Sequence, residues 1–185
     1  MNLMIAGIFI FVLTHLIPVF TTIRSGLVNK IGELPYKGLF SVLSLVGIVL
    51  MVRGYGSMGI ETLWQPPAFG RKLTTILMPV AIILVVAMHG SSNIKRWVRN
   101  PMLWGFTIWS VAHLLSNGNL RDLLLFGSIL AYSVLAIISS HVQGKTSAAP
   151  AVPYYKDAIV VVAGLIITAA LVYFHGSLSG VPLRG

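Results

Sequence analysis

Residues 73–89 read LTTILMPVAIILVVAMH and include no aspartate, glutamate, lysine or arginine. The run ends at His89, and the Gly90, Ser91 and Ser92 that follow are residues at which helices commonly stop. A helix that spans the hydrocarbon core of a bilayer needs about 20 predominantly apolar residues, within a range of about 17–25. The segment therefore predicts a transmembrane helix.

Five further apolar runs are bounded by charged or helix-stopping residues in the same way. Together the runs predict six spans: Asn2–Thr21, Tyr36–Val52, Leu73–His89, Pro101–Ser116, Leu120–Ser140 and Asp157–His175. Because lipid cannot satisfy backbone polar groups, the spans are expected to be helical. The sequence thus predicts an all-α, polytopic transmembrane helix bundle of about six spans, forming a single integral membrane domain over residues 1–185. The short link between the fourth and fifth spans predicts a tight antiparallel pair.

The overall composition excludes an ordinary soluble domain. Of the 185 residues, 56% are hydrophobic and 9% are charged, whereas soluble domains carry about 25% charged residues. The formal net charge is +9, but the basic residues lie almost entirely between apolar runs. This pattern favours membrane lipids with anionic headgroups as partners, and it does not resemble the basic and aromatic platform of a nucleic-acid-binding surface.

The distribution of basic residues predicts an orientation. Six spans place both termini on one side, whose loops and ends carry five basic residues: Arg53, Arg71, Lys72, Arg121 and Arg184. The opposite loops carry eight: Arg24, Lys30, Lys37, Lys95, Arg96, Arg99, Lys145 and Lys156. Because cytoplasmic loops are enriched in lysine and arginine, we expect both termini to lie outside the cytoplasm.

The absence of cysteine limits the chemistry that the chain can perform. Without cysteine there are no disulfides, thiolate ligands or cysteine nucleophiles, so a metal or haem must rely on histidine, methionine, tyrosine or carboxylate. The four acidic residues fall at span ends or in loops, so we expect no carboxylate at membrane depth and no Ser-His-Asp triad: Glu33, Glu61, Asp122 and Asp157.

The histidines are the main candidate ligands. His89, His141 and His175 lie at predicted span ends, where an imidazole costs little, whereas His15 and His113 lie inside apolar spans. At 1.5 Å per residue, His15 and His113 are about 10 Å and about 18 Å from the side of the basic loops. Two imidazoles with an offset of about 8 Å on antiparallel helices are one way to hold a b-type haem.

The same arrangement predicts partners for the haem propionates. Arg24 and Arg99 lie near the interface on the side of the basic loops, where cations would pair with propionates. A local zinc site is disfavoured because no two histidines are three or four residues apart. A cofactor-free membrane chaperone or assembly subunit of a respiratory enzyme stays an alternative, because so few polar groups lie at membrane depth.

Several segments together resemble the NnrU family. They are HLIP at residues 15–18 with Arg24, LFS at 39–41, RNPMLWG at 99–105 and WSVAHLLSNG at 109–118. The resemblance extends over the whole chain. It implies a bacterial inner-membrane protein, associated with nitrite and nitric oxide reduction in denitrification, and in that membrane the orientation predicted from the basic residues places the termini in the periplasm. It also implies kinship with zeta-carotene isomerase, a haem b enzyme that isomerises a cis double bond.

The resemblance also implies roles for individual residues and ligands. His15 and His113 match the family's histidines, so they are the expected iron ligands, and the expected ligand of the site is nitric oxide or a hydrophobic polyene. Asn100 departs from the Arg-His-Pro of many relatives and cannot replace that histidine as a ligand. Isoprenylcysteine-type methyltransferases share Arg-His-Pro but carry late acidic residues, and here only Asp157 follows residue 122. A methyltransferase is therefore disfavoured.

Overall fold

A computed structural model describes residues 1–144, 150–180 and 183. In this part of the chain the regular elements are helices, and two backbone segments pair only at one bridge between Thr62 and Asn119. The helices are α1 Asn2–Leu16, α2 Thr21–Ile31, α3 Glu33–Ser57, α4 Gly70–His89, α5 Ile94–Trp97, α6 Pro101–Ser116, α7 Leu120–Val142, α8 Tyr155–Tyr173 and α9 His175–Ser179. The predicted all-α class is confirmed.

The number of spans is slightly smaller than the predicted six. Four helices, α3, α4, α7 and α8, are long and apolar enough to cross a membrane, and α1 with α2 adds a fifth if this bent pair counts as one span. Helix α6 has 16 residues, which gives a length of about 24 Å against a hydrocarbon core of about 30 Å. The helices fit a multi-pass membrane protein with four or five full spans.

The first two predicted spans have different boundaries in the structure. The predicted first span, Asn2–Thr21, extends too far, because α1 ends at Leu16, shortly before Pro18, and α2 leaves at an angle of 88°. Proline cannot continue the hydrogen-bond ladder of the helix, which explains the break. Helix α3 instead runs past Val52, because Gly54 lies in the helix and packs against Met4 of α1.

Glycines allow α1 and α3 to pack closely. A Cβ atom added to Gly7 would lie 2.6 Å from the backbone nitrogen of Met51, and one added to Gly47 would lie 3.1 Å from the carbonyl oxygen of Gly7. At Gly38, by contrast, an added Cβ atom would meet nothing within 4 Å. Small residues therefore form the α1–α3 contact only where the two backbones approach.

We expect Gly7→Ala to destabilise the protein and Gly38→Ala to stabilise it. At Gly7 the new methyl group overlaps backbone atoms of α3, a kind of overpacking that typically costs about 1–3 kcal/mol. At Gly38 it meets open space, so only the gain in helix propensity of up to about 1 kcal/mol remains. Thermal unfolding of both variants in the same detergent measures the difference. Equal shifts in both would contradict the packing of α1 on α3.

The contacts between helices place α7 between α1 and α6. Helix α1 packs against α3 and α7, while α6 packs against α7 and α4, and α4 also packs against α8. Helices α6 and α7 form the predicted antiparallel pair, since their contacts run in opposite directions. The Thr107 hydroxyl donates to Ser133 at 3.0 Å, whereas Trp109, two residues later in α6, lies 4.8 Å from the ring of Phe126, seven residues earlier in α7. Lys145 and Arg184, which entered the predicted orientation, lie outside the described residues, and that orientation stays a prediction.

Candidate functional site

His15 lies in the last turn of α1, with its ring fixed by its own helix. Its Nδ1 is 2.8 Å from the carbonyl oxygen of Phe11, four residues earlier. Because a carbonyl only accepts hydrogen bonds, Nδ1 carries the proton and Nε2 carries the lone pair. The ring stacks on Phe11 at a centroid distance of 3.9 Å and lies 5.0 Å from Phe40 and 5.7 Å from Tyr132. The half-buried imidazole is thus held by three aromatic rings.

A cavity of about 210 Å³ adjoins His15, where the ends of α1, α4, α6 and α7 meet. Its wall is mainly apolar and includes two methionines. The wall includes His15, Met88, Asn100, Met102, Leu103 and Tyr132. Met88 is 44% exposed at the surface that the bundle presents to its surroundings. The sequence did not predict this cavity, because it depends on which helix ends come together.

Asn100 lines the cavity and has an unusual backbone conformation. Its φ and ψ are both 57°, the left-handed region, and its side chain donates a hydrogen bond of 2.9 Å to the Ser140 hydroxyl of α7. Asparagine tolerates this conformation better than most residues, and Pro101 then begins α6 with a φ suited to a helix. Asn100 thus connects the start of α6 to α7 beside His15.

His113 has the same local geometry in a different part of the bundle. It lies in the last turn of α6, and its Nδ1 is 2.8 Å from the carbonyl oxygen of Trp109. The ring stacks on Phe126 of α7 at 4.4 Å and lies 5.1 Å from Trp109. Its Nε2 therefore carries the lone pair, as in His15.

The structure does not bring His15 and His113 together. Their rings share no aromatic neighbour, and His113 does not line the cavity beside His15. Leu103, the last α6 residue in the wall of that cavity, is ten positions before His113, or about 15 Å along the helix axis. The predicted offset of about 8 Å assumed a first helix that continues to about residue 22, whereas α1 ends at Leu16 and His15 lies in its last turn.

The two arginines predicted to hold propionates do not line the cavity either. Arg24 lies on α2, with its guanidinium 5.8 Å from the centroid of the Tyr36 ring. Arg99 directly precedes Asn100, which does line the cavity, so Arg99 is the nearer of the two along the chain. Their role as propionate partners stays a prediction.

The NnrU protein family matches residues 3–183, nearly the whole chain. The protein belongs to the NnrU family. No curated protein and no solved structure gives a significant match.

The remaining histidines of this NnrU family member differ in their surroundings. His141 has its Nδ1 2.8 Å from the carbonyl oxygen of Ile137, as in the two histidines above, but it is exposed. His175 begins α9, 3.1 Å from the Ser179 hydroxyl. Across the described residues, no group of three or more histidines and carboxylates could hold a metal ion.

Asp122 lies at a span end, as predicted, but its side chain is buried there. It lies in the first turn of α7 and is 1% exposed. The Tyr55 hydroxyl donates to one of its oxygens at 2.6 Å, and the Asn119 amide donates to the other at 2.9 Å. The sequence did not reveal that Tyr55 of α3 forms a hydrogen bond with this carboxylate.

Proposed function

We propose that the protein is a haem b-binding membrane protein that acts in nitrite and nitric oxide reduction, with His15 as an axial ligand of the iron. The observation that carries this proposal is the ring of His15, anchored through Nδ1 and placed at the wall of a cavity. The site lies in a chain of the NnrU family.

The local chemistry around His15 suits a haem ligand. Histidines that bind metals commonly donate their other ring N–H to a carbonyl or carboxylate, which fixes the tautomer and the orientation of the ring. The Phe11 carbonyl supplies this anchor, and Phe11, Phe40 and Tyr132 restrict rotation of the imidazole. His15 alone therefore has the features of an axial ligand beside a cavity.

The residues fit a haem with one protein ligand and do not fit a haem held between His15 and His113. His113 does not line the cavity beside His15 and shares no aromatic neighbour with it, so an iron bound at His15 would find no second histidine in the same cavity. The cavity of about 210 Å³ is also smaller than the about 300–1,000 Å³ of sites that enclose drug-sized molecules, so it encloses only part of a haem. When bound, haem would supply an iron that can bind a diatomic ligand such as nitric oxide, and His15 would hold it.

Haem-dependent isomerisation of a hydrophobic polyene is the second candidate function. The observation that favours it is Met88, which lines the cavity and is also 44% exposed on the apolar flank of the bundle. A ligand dissolved in the bilayer would thus have lateral access beside His15. Two assays compare the candidates. Anaerobic addition of nitric oxide to the reduced protein, read as a shift in absorption, tests the first, and incubation of the protein with a cis-polyene tests the second.

Absorption spectroscopy tests haem binding itself. We expect protein purified in mild detergent from haem-sufficient cells to show a Soret band, and haem-free protein to regain it on titration with hemin. The same titration on denatured protein controls for nonspecific partition of hemin. A haem-free preparation that recovers no Soret band would overturn the proposal and favour a cofactor-free assembly subunit.

A further inference from the structure

A second cavity lies near the opposite end of α6 and has a different chemistry. We call it the loop-turn pocket because the segment 58–69 and the turn between α6 and α7 form its walls. Its volume is about 310 Å³, within the range of small-molecule sites. The wall includes Tyr55, Gln65, Arg71, Asn119, Arg121 and Asp122. Unlike the cavity beside His15, it has a wall rich in polar side chains.

Backbone hydrogen bonds hold the two walls in place. The backbone nitrogens of Leu63 and Trp64 donate to the carbonyl oxygen of Gly118 at 2.7 and 3.2 Å, and Leu120 donates to the carbonyl oxygen of Glu61 at 2.8 Å. A Cβ atom at Gly118 would overlap the carbonyl oxygen of Trp64, so only glycine permits this approach. The segment 58–69 is therefore fixed over the turn, and the pocket is part of the folded structure.

The charges of the pocket favour an anion. Arg71 and Arg121 both line it, and neither forms an ion pair with a carboxylate of the described chain. Asp122 is the acidic residue of the wall, but its two oxygens already accept hydrogen bonds from Tyr55 and Asn119. Two guanidinium groups against one carboxylate leave the pocket with a net positive charge.

Arg121 also has an unused donor inside the pocket wall. Its Nε is buried and has no hydrogen-bond partner, while its guanidinium carbon lies 4.6 Å from the centroid of the Tyr55 ring. A buried donor without an acceptor is costly, and a charged one more so. Stacking on Tyr55 restricts the guanidinium of Arg121, so an anion that enters the pocket would contact a positioned cation.

We propose that the loop-turn pocket binds a phosphate group through Arg71 and Arg121. A guanidinium matches the tetrahedral oxygens of phosphate with two parallel hydrogen bonds. The amides of Gln65 and Asn119 lie in the same wall as additional polar groups. The phosphate belongs either to a phospholipid headgroup, the abundant anion at the end of a membrane helix bundle, or to a free phosphate ion.

Binding of defined probes to the full-length protein in detergent tests this proposal. Native mass spectrometry measures binding of phosphatidylglycerol after delipidation, with diacylglycerol as the matched lipid without phosphate. We expect Arg121→Gln and Arg71→Gln each to weaken phosphatidylglycerol binding about tenfold, since each loses a charge-assisted contact. Lys72→Gln, a neighbouring exposed residue that does not line the pocket, is the control and should leave binding unchanged.

Two further arms complete the experiment. Arg121→Lys keeps the positive charge without the buried Nε and should weaken binding less than Arg121→Gln, and Arg71 is exposed, so Arg71→Gln is expected to fold. Displacement of the lipid by inorganic phosphate identifies a free phosphate site, whereas lipid binding that phosphate does not affect identifies a headgroup site. Equal binding of diacylglycerol, or unchanged affinity in both arginine variants, would overturn the proposal.

Discussion

Asp122→Ala is expected to lower the free energy of unfolding by about 3–5 kcal/mol, because two hydrogen-bond donors lose their buried, charged acceptor. In the folded protein this carboxylate accepts hydrogen bonds from the Tyr55 hydroxyl and the Asn119 amide. Alanine leaves both donors without that partner, and it also leaves a space in the contact between α3 and α7. The result would be measured by thermal unfolding in one detergent at one protein concentration.

Two matched variants separate the hydrogen bonds from the packing. Tyr55→Phe removes one donor and keeps the ring under Arg121, so we expect a loss of about 1–2 kcal/mol. Asp122→Asn keeps the shape and one acceptor oxygen, so its effect should lie between those of Tyr55→Phe and Asp122→Ala. A loss below about 1 kcal/mol for Asp122→Ala would show that the carboxylate does not connect α3 to α7.

The second large effect is loss of haem from His15→Gly. We expect this variant to lose the Soret band of the wild-type protein or to change its position, because the substitution removes the only nitrogen that the cavity beside His15 offers as a strong ligand. His141→Gly is the matched control, since His141 makes the same hydrogen bond to its own helix but is exposed. Its spectrum should equal that of the wild type.

His113→Gly distinguishes this proposal from ligation by both histidines. If His15 alone binds the iron, the absorption spectrum of His113→Gly will match the wild type, although stability will fall with the loss of the stacked pair with Phe126. If both histidines bind one iron, each variant will change the spectrum equally. The second outcome would require α1 and α6 to rearrange from the positions described above.

The sequence predicted the class of the fold and several of its details. The apolar runs around 73–89 and 120–140 are long, with charged residues only at Arg121 and Asp122 near the start of the second, and they correspond closely to α4 and α7. Local signals also predicted the turn at residues 117–119 and the antiparallel packing of α6 on α7. These features depend on composition and short-range geometry, which a single sequence contains.

Features that depend on distant contacts were not predictable. Gly54 looks like a helix stop in the sequence, but close packing on Met4 keeps it inside α3. Hydropathy also predicts one continuous span across Pro18, although the chain bends by 88° between α1 and α2. The candidate site shows the same division, because both inner histidines were identified by depth, whereas the position of α7 between their helices follows from tertiary packing.

Imidazole rescue of His15→Gly tests the proposed iron ligand most directly. The haem-free variant would be titrated with hemin in detergent, with and without free imidazole, beside the wild type and His141→Gly. If His15 binds the iron, the variant will show an altered spectrum without imidazole and will recover the wild-type Soret band when imidazole fills the vacated position. A wild-type spectrum of His15→Gly in the absence of imidazole would contradict it.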